Sequence, residues 1–168
     1  MSIEHPLARL WGPPDLLHSS SRVAAWYTQP AGVVTQLGAR KIIDQAMVDY
    51  LITTVHSEVR KRFVGFRTYA LHDWSSMEDF DFEARGRIVS WCVQHRSEFV
   101  DTGIAHPPLT PLWKMAIHVG KVALDAGKFP FHLFPSIELG IQVLGLRRVT
   151  LGSTPPAGRT SSSSFEHG

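Results

Sequence analysis

Along the chain, short apolar runs alternate with helical stripes, and the order of the two patterns points to a fold class. Arg22–Tyr27 (RVAAWY) and Gly32–Leu37 (GVVTQL) have the length and content of strands. The intervening TQPAG holds the proline and glycine of a tight turn, which predicts an antiparallel hairpin. From about Ala39 to Phe63 the period changes. Ile43, Met47, Leu51, Val55 and Val59 recur every fourth residue, and Ile42, Ala46 and Tyr50 widen the stripe. Asp44, Gln45, Asp49, Glu58 and Arg62 fall mostly away from it, as expected of one long helix laid on a sheet. Gly65 is placed to end it as a left-handed cap.

Phe66–His72 (FRTYALH) reads as a central strand, followed by a polar loop, Asp73–Asp81. A second helix is expected from Phe82 to Arg96, with Asp81 as N-cap and Glu83 in the first turn, where negative charge is favoured. Its inner side takes Ile88, Val89, Trp91 and Cys92. Val100–His106 is a short strand closed by Pro107-Pro108. A third helix runs from Thr110 to Asp125 and stops at Gly127. Phe129–Phe134 (FPFHLF) is a last strand, and Pro130 argues for an edge position. Pro135-Ser136 opens a final helix through Leu144.

The order β-β-α-β-α-β-α-β-α predicts an α/β domain. Its single mixed sheet opens with an antiparallel hairpin, is mostly parallel thereafter, and carries about four helices. Residues 1–21 read as an irregular arm pinned by Leu10 and Trp11, residues 22–148 as the domain, and residues 149–168 as a disordered tail rich in Gly, Ser, Thr and Pro.

Length and charge narrow the function. A chain of 168 residues makes one domain with a sizeable core. The net charge of +2 is spread, with clusters at Arg60-Lys61-Arg62 and Arg147-Arg148, and the first lies at a helix end where cations suit the dipole. Nucleic-acid binding is not indicated. The single cysteine, Cys92, excludes an internal disulfide and reads as a small core residue. No charged-then-apolar leader and no membrane-length apolar run is visible, so a reducing cytoplasm is the expected location.

The segment after the central strand carries a resemblance. Asp73-Trp74-Ser75-Ser76-Met77-Glu78-Asp79-Phe80-Asp81-Phe82-Glu83-Ala84 follows the form D-L-S-G-x-x-x-x-D-S-S-G of STAS-family antagonists at Asp73, Ser75 and Asp81. With the element order of Arg22–Leu146, the chain resembles the STAS superfamily, and more closely its SpoIIAA-like branch. Members of that branch add a C-terminal strand and helix and share a fold with lipid-carrying CRAL-TRIO domains. The family's phosphorylatable serine would fall on Phe82 or Glu83, neither of which accepts phosphate. A switch that adds nearly two negative charges at that helix start is therefore absent at the usual position. What the resemblance implies is a non-catalytic regulatory protein-interaction module, expected to self-associate as a homodimer, whose contact surface comprises Asp73, Trp74, Ser75, Ser76, Glu78, Asp79, Asp81 and Glu83. The protein partner is unspecified.

Nine histidines are enough to raise the question of a metal site. His72 and His106 end neighbouring strands, and with Asp73 or Asp101 they could form an open metal site at the sheet's C-terminal edge; the simpler reading, preferred here, is that each caps its strand and bonds to backbone. His95, His118 and His132 lie elsewhere, and no H-x-x-x-H spacing occurs. No nucleophile elbow or phosphate loop is present, and Cys92 has nothing to activate it. No catalytic residue, metal ligand or cofactor is therefore assigned. The second reading is an apolar small-molecule or lipid carrier. Trp113, Met115, Val119, Val122, Phe129 and Phe131, with Ile117 and Phe134, exceed what one helix face and one edge strand need. They would line an apolar pocket, form a dimer face, or simply fill the core.

Overall fold

The computed structural model describes residues 5–20, 22–38 and 42–149. Helix α1 (Pro6–Trp11) and strand β1 (Leu16–Leu17) precede the hairpin β2 (Val23–Gln29) and β3 (Gly32–Leu37). A two-residue strand, β4 (Ile42–Ile43), leads into α2 (Gln45–Tyr50), a π-helical turn (Leu51–Val55) and α3 (His56–Arg62). Then follow β5 (Thr68–Asp73), β6 (Asp79–Phe80), α4 (Phe82–Gln94) and β7 (Phe99–Ala105). The chain continues through α5 (Pro111–Ala126), β8 (His132–Phe134), α6 (Ile137–Leu144) and β9 (Arg147–Arg148).

The main sheet has the order β1-β2-β3-β5-β7-β8. β2 pairs antiparallel with β3, and β3-β5-β7-β8 are parallel throughout. The mixed sheet expected from the sequence is thus the one observed, with the last strand at an edge. Its other edge was not foreseen: β1 and β9 both pair with β2, β1 at Ala24 and Ala25, β9 at Thr28 and Gln29.

Helices cover both faces. Against α2–α5 lie Val23, Ala25, Val33, Leu37, Ala70 and Phe99. Against α1 and α6 lie Ala24, Trp26, Val34, Leu71 and Ala105. Neighbours in sequence go to opposite faces, as the pleat requires, and every residue of β3 is buried. Trp26 is fully buried, with its indole N–H donating to the Gly12 carbonyl (3.0 Å). Its burial contributes about 3 kcal/mol, and truncation to alanine would cost about 3–5 kcal/mol.

The structure revises several element boundaries. The N-terminal arm is not irregular: it holds α1 and β1. Leu7, not Leu10, anchors it; Leu10 is 75% exposed. The long helix begins at its N-cap Asp44, whose side chain accepts from Met47 N–H; residues 39–41 lie outside the described residues, and Ile42 belongs to β4. An apolar repeat of four advances about 40° per step around an ideal α-helix, so a straight helix would turn the stripe away from the sheet. The π-helical turn takes up that drift, and Met47, Leu51, Val55 and Val59 all stay buried. Phe66 is exposed, and the central strand starts at Thr68 and includes Asp73. The following loop contains β6, paired parallel with β4. Gly65 takes the left-handed conformation expected of it (φ 81°). Gly127 does not. Lys128 adopts that conformation (φ 54°), while a side chain at Gly127 would strike Val93 of α4. The last strand shortens to His132–Phe134, after Pro130. At the C-terminal end the fold runs on to buried Val149, whose N–H donates to the Tyr27 carbonyl (3.1 Å). The rest of the expected tail, 150–168, lies outside the described residues.

Candidate functional site

Between the sheet and helices α4 and α5 lies a cavity of about 110 Å³. Strands β5 and β7 form its floor with Ala70, His72 and Ile104; α4 gives Ile88, Val89, Trp91 and Cys92; α5 gives Trp113, Ala116, Ile117, Gly120 and Leu124. Met77, Phe80, Phe129 and Phe131 complete its lining. Its walls are almost entirely carbon. The space follows from sequence: α5 presents small Ala116 and Gly120 between larger neighbours, so helix and sheet do not meet fully there.

Two buried imidazoles interrupt this apolar lining. His72 sits on β5 and shares a 2.7 Å hydrogen bond through Nδ1 with the Thr35 hydroxyl on the neighbouring β3. His56 is the first residue of α3, directly after the π-helical turn, and its ring lies 5.8 Å from that of His72 (centroid to centroid). Trp91 lies over the same ring at 4.8 Å, and Phe99 meets it edge-on at 5.6 Å. Among the described residues no hydrogen bond reaches the His56 ring, and the Thr35 bond is the one made by His72. Burial makes the charged form of each unfavourable. The pKa of His56 is driven down to about 3, by burial first and then by His72, Arg60 and His95; that of His72 falls to about 4 through burial. Both rings are therefore neutral at pH 7. Cys92 on the same wall is pushed up to about 12 by burial and remains a thiol.

Half-buried Arg85 and Lys121 also border the cavity. The Lys121 ammonium is held by both Asp125 carboxylate oxygens, at 2.7 and 2.9 Å. The Arg85 guanidinium lies over the Phe80 and Phe82 rings and donates to the Ala116 carbonyl at 3.5 Å.

The residues of the expected interaction surface do not act as one group. Asp73 is buried on the opposite face of the sheet: it accepts from Gln36 Nε2 (2.5 Å), and Gln36 Oε1 accepts from Leu7 N–H (2.9 Å). Its other oxygen accepts from the Ser75 N–H and hydroxyl, so Ser75 serves the turn locally. Trp74 is half-buried, stacks on His72 and lines the cavity. Ser76, Glu78, Asp79, Asp81 and Glu83 are exposed, and Asp81 caps α4 through bonds from the Glu83 and Ala84 amides, as the sequence led us to expect. Phe82, at the start of α4, is 68% exposed.

The second set of residues divides. Trp113, Phe129 and Phe131 line the cavity. Met115, Val119 and Val122 lie on the outer side of α5, 49–62% exposed. The proposed metal pair is not assembled: His72 pairs with Ile104, and the His106 Nδ1 lies 2.8 Å from the Pro107 carbonyl. Among the described residues no three His, Cys, Asp or Glu side chains gather as metal ligands. His132 pairs with Asp101 at the surface (2.9 Å).

The residue that sequence reasoning missed is His56. Its position, four after Ile52 and three before Val59, places it in the buried stripe, which is the signal that could have found it.

No family model and no curated protein matches the sequence. Among solved structures, the chain is similar to an uncharacterized protein of the DUF3478 family from Shewanella loihica PV-4, described as having a SpoIIAA-like fold. The two superpose with a TM-score of 0.51 at 14% sequence identity, over 73% of this chain and 91% of that one. Among the described residues no helix is long and apolar enough to cross a membrane. The element order, the mixed sheet and this superposition together give the chain a SpoIIAA-like α/β fold.

Proposed function

We propose that this protein is a non-catalytic binding domain that takes up a small, mostly apolar molecule between its sheet and helices α4 and α5. The observation that carries this reading is the apolar cavity itself, with three tryptophans (Trp74, Trp91 and Trp113) on its walls. Its volume of about 110 Å³ approaches the ~150 Å³ that admits a benzene-sized ring in a dry protein interior. Well-packed cores leave few voids of this size, and filling one with apolar atoms is favourable.

Native mass spectrometry on the protein as purified, followed by denaturing spectra, tests the reading directly. A mass excess that disappears on denaturation supports it. If no excess is found and titration with benzene-sized apolar compounds leaves tryptophan fluorescence and melting temperature unchanged, the reading is wrong.

A regulatory interaction role is the second reading, and one observation favours it. Phe82 stands exposed at the start of α4, flanked by exposed Asp79, Asp81 and Glu83. An exposed aromatic within an acidic rim is suited to a basic, partly apolar protein surface. Charge reversal at those three carboxylates is expected to abolish partner capture; unchanged capture would refute this second role.

A further inference from the structure

We propose that the molecule held in the cavity carries one uncharged hydrogen-bonding group, a hydroxyl or a carbonyl, set against His56 and His72, on an apolar body the size of a single ring. This deepens the ligand-binding reading and rests on it. Two geometric facts lead there. Both imidazoles line the cavity while being 95% and 92% shielded from solvent (relative exposures of 5% and 8%). Neither has its hydrogen-bonding capacity met: among the described residues His56 has no ring partner, and His72 uses Nδ1 alone, on Thr35.

A neutral imidazole has one donor and one acceptor nitrogen. If the Thr35 hydroxyl donates to His72 Nδ1, Nε2 carries a proton and is left as a donor; if it accepts, Nε2 is left as an acceptor. His56 is free in the same two senses. A ring nitrogen left in this state on an apolar wall can pair only with water that enters the cavity, and an incoming hydroxyl, able to donate and accept, completes either arrangement.

Charge on the ligand is disfavoured at this place. Burial holds both rings neutral, so they offer a carboxylate no counter-charge, and no lining residue is acidic enough to meet an ammonium. The nearby cations are engaged elsewhere, Lys121 with Asp125 and Arg85 with the Phe80 and Phe82 rings.

Calorimetric titration of the full chain at pH 7 with four single-ring probes, toluene, phenol, benzoate and benzylamine, separates the alternatives. Phenol is expected to bind about tenfold more tightly than toluene, the worth of one well-made hydrogen bond, and more tightly than either ion. His56→Leu is expected to remove phenol's advantage and leave toluene binding in place, and His56→Gln to restore part of it. If phenol binds no better than toluene, the imidazoles are satisfied by water or by one another and the inference falls, while the apolar-ligand reading stands. Tightest binding of benzoate would also overturn it, pointing to Arg85 as the anchor. Should none of the four bind, both the inference and the reading beneath it fail. The wild-type comparison needs no variant to fold.

Discussion

Acid should destabilise this protein through its two buried histidines, and the size of the effect follows from the structure. An unfolded histidine titrates near pH 6.5, whereas His56 and His72 in the fold resist protonation down to about pH 3 and about pH 4. Between pH 6.5 and about 4 the unfolded chain binds one more proton at each position than the folded chain does. Stability therefore falls as pH falls through that window, and is recovered as pH rises above it. At pH 5 an unfolded histidine lies about 1.5 pH units below its pKa. At about 1.36 kcal/mol per unit, this is about 2 kcal/mol for each histidine and about 4 kcal/mol for the pair. A domain of this size has a total stability of roughly 5–15 kcal/mol, so the loss is easily measured. Urea unfolding at pH 7 and pH 5, for wild type and His56→Leu, isolates the contribution, because every other titrating group is common to both. His56→Leu is expected to lose about 2 kcal/mol less than wild type across that interval. Equal losses in the two proteins would mean that His56 is protonated in the fold, and the picture of a neutral, desolvated imidazole would be wrong.

Two further outcomes test the remainder of the fold. Asp73→Ala should cost about 1–3 kcal/mol in urea unfolding, since it leaves the Gln36 amide and the Ser75 N–H without their buried acceptor; an unchanged midpoint would show that the Gln36–Asp73 contact contributes nothing. Arg148→Met should release the N-terminal arm, because the guanidinium donates to Asp15 and to the Trp11 and Pro13 carbonyls. Breaking so shielded a pair costs about 3–5 kcal/mol, read as lost hydrogen-exchange protection in residues 5–17, and retained protection there would refute the anchoring role.

Elements with a strong period were legible in the sequence, and those made by pairing were not. The period-four stripe from Ile43 to Val59 identified the long helix, although Ile43 itself falls in β4 and the π-helical turn within it was not anticipated. Two-residue strands have no period to read. β1, β4, β6 and β9 exist because a neighbour offers free backbone groups, and Leu16 or Arg147 alone gives no hint of that. At the candidate site, apolar excess singled out Trp113, Phe129 and Phe131, yet the same signal swept in Met115, Val119 and Val122 from the far side of α5. Asp73 was misplaced for a related reason. A carboxylate beside a turn reads as exposed, whereas the pleat sends it, one residue after His72, to the opposite face and onto Gln36.

His56 brings stability and binding into one argument. Leucine at that position would pack against Trp91 and Phe99 with no polar atom to desolvate and no acid sensitivity. The imidazole instead brings a donor and an acceptor with no protein partner into an apolar wall, at a cost of up to about 3 kcal/mol. Local choices that disagree with the rest of a core concentrate at functional sites, where the missing partner is supplied from outside. A ligand that completes the hydrogen bonds of His56 binds the folded state alone, and at a hundred times its dissociation constant stabilises it by about 2.7 kcal/mol. That gain is of the same order as the penalty, so the empty protein should melt well below the liganded one. Leucine at 56 should raise the melting temperature of the empty protein and shrink the further rise that a hydroxyl-bearing ligand produces.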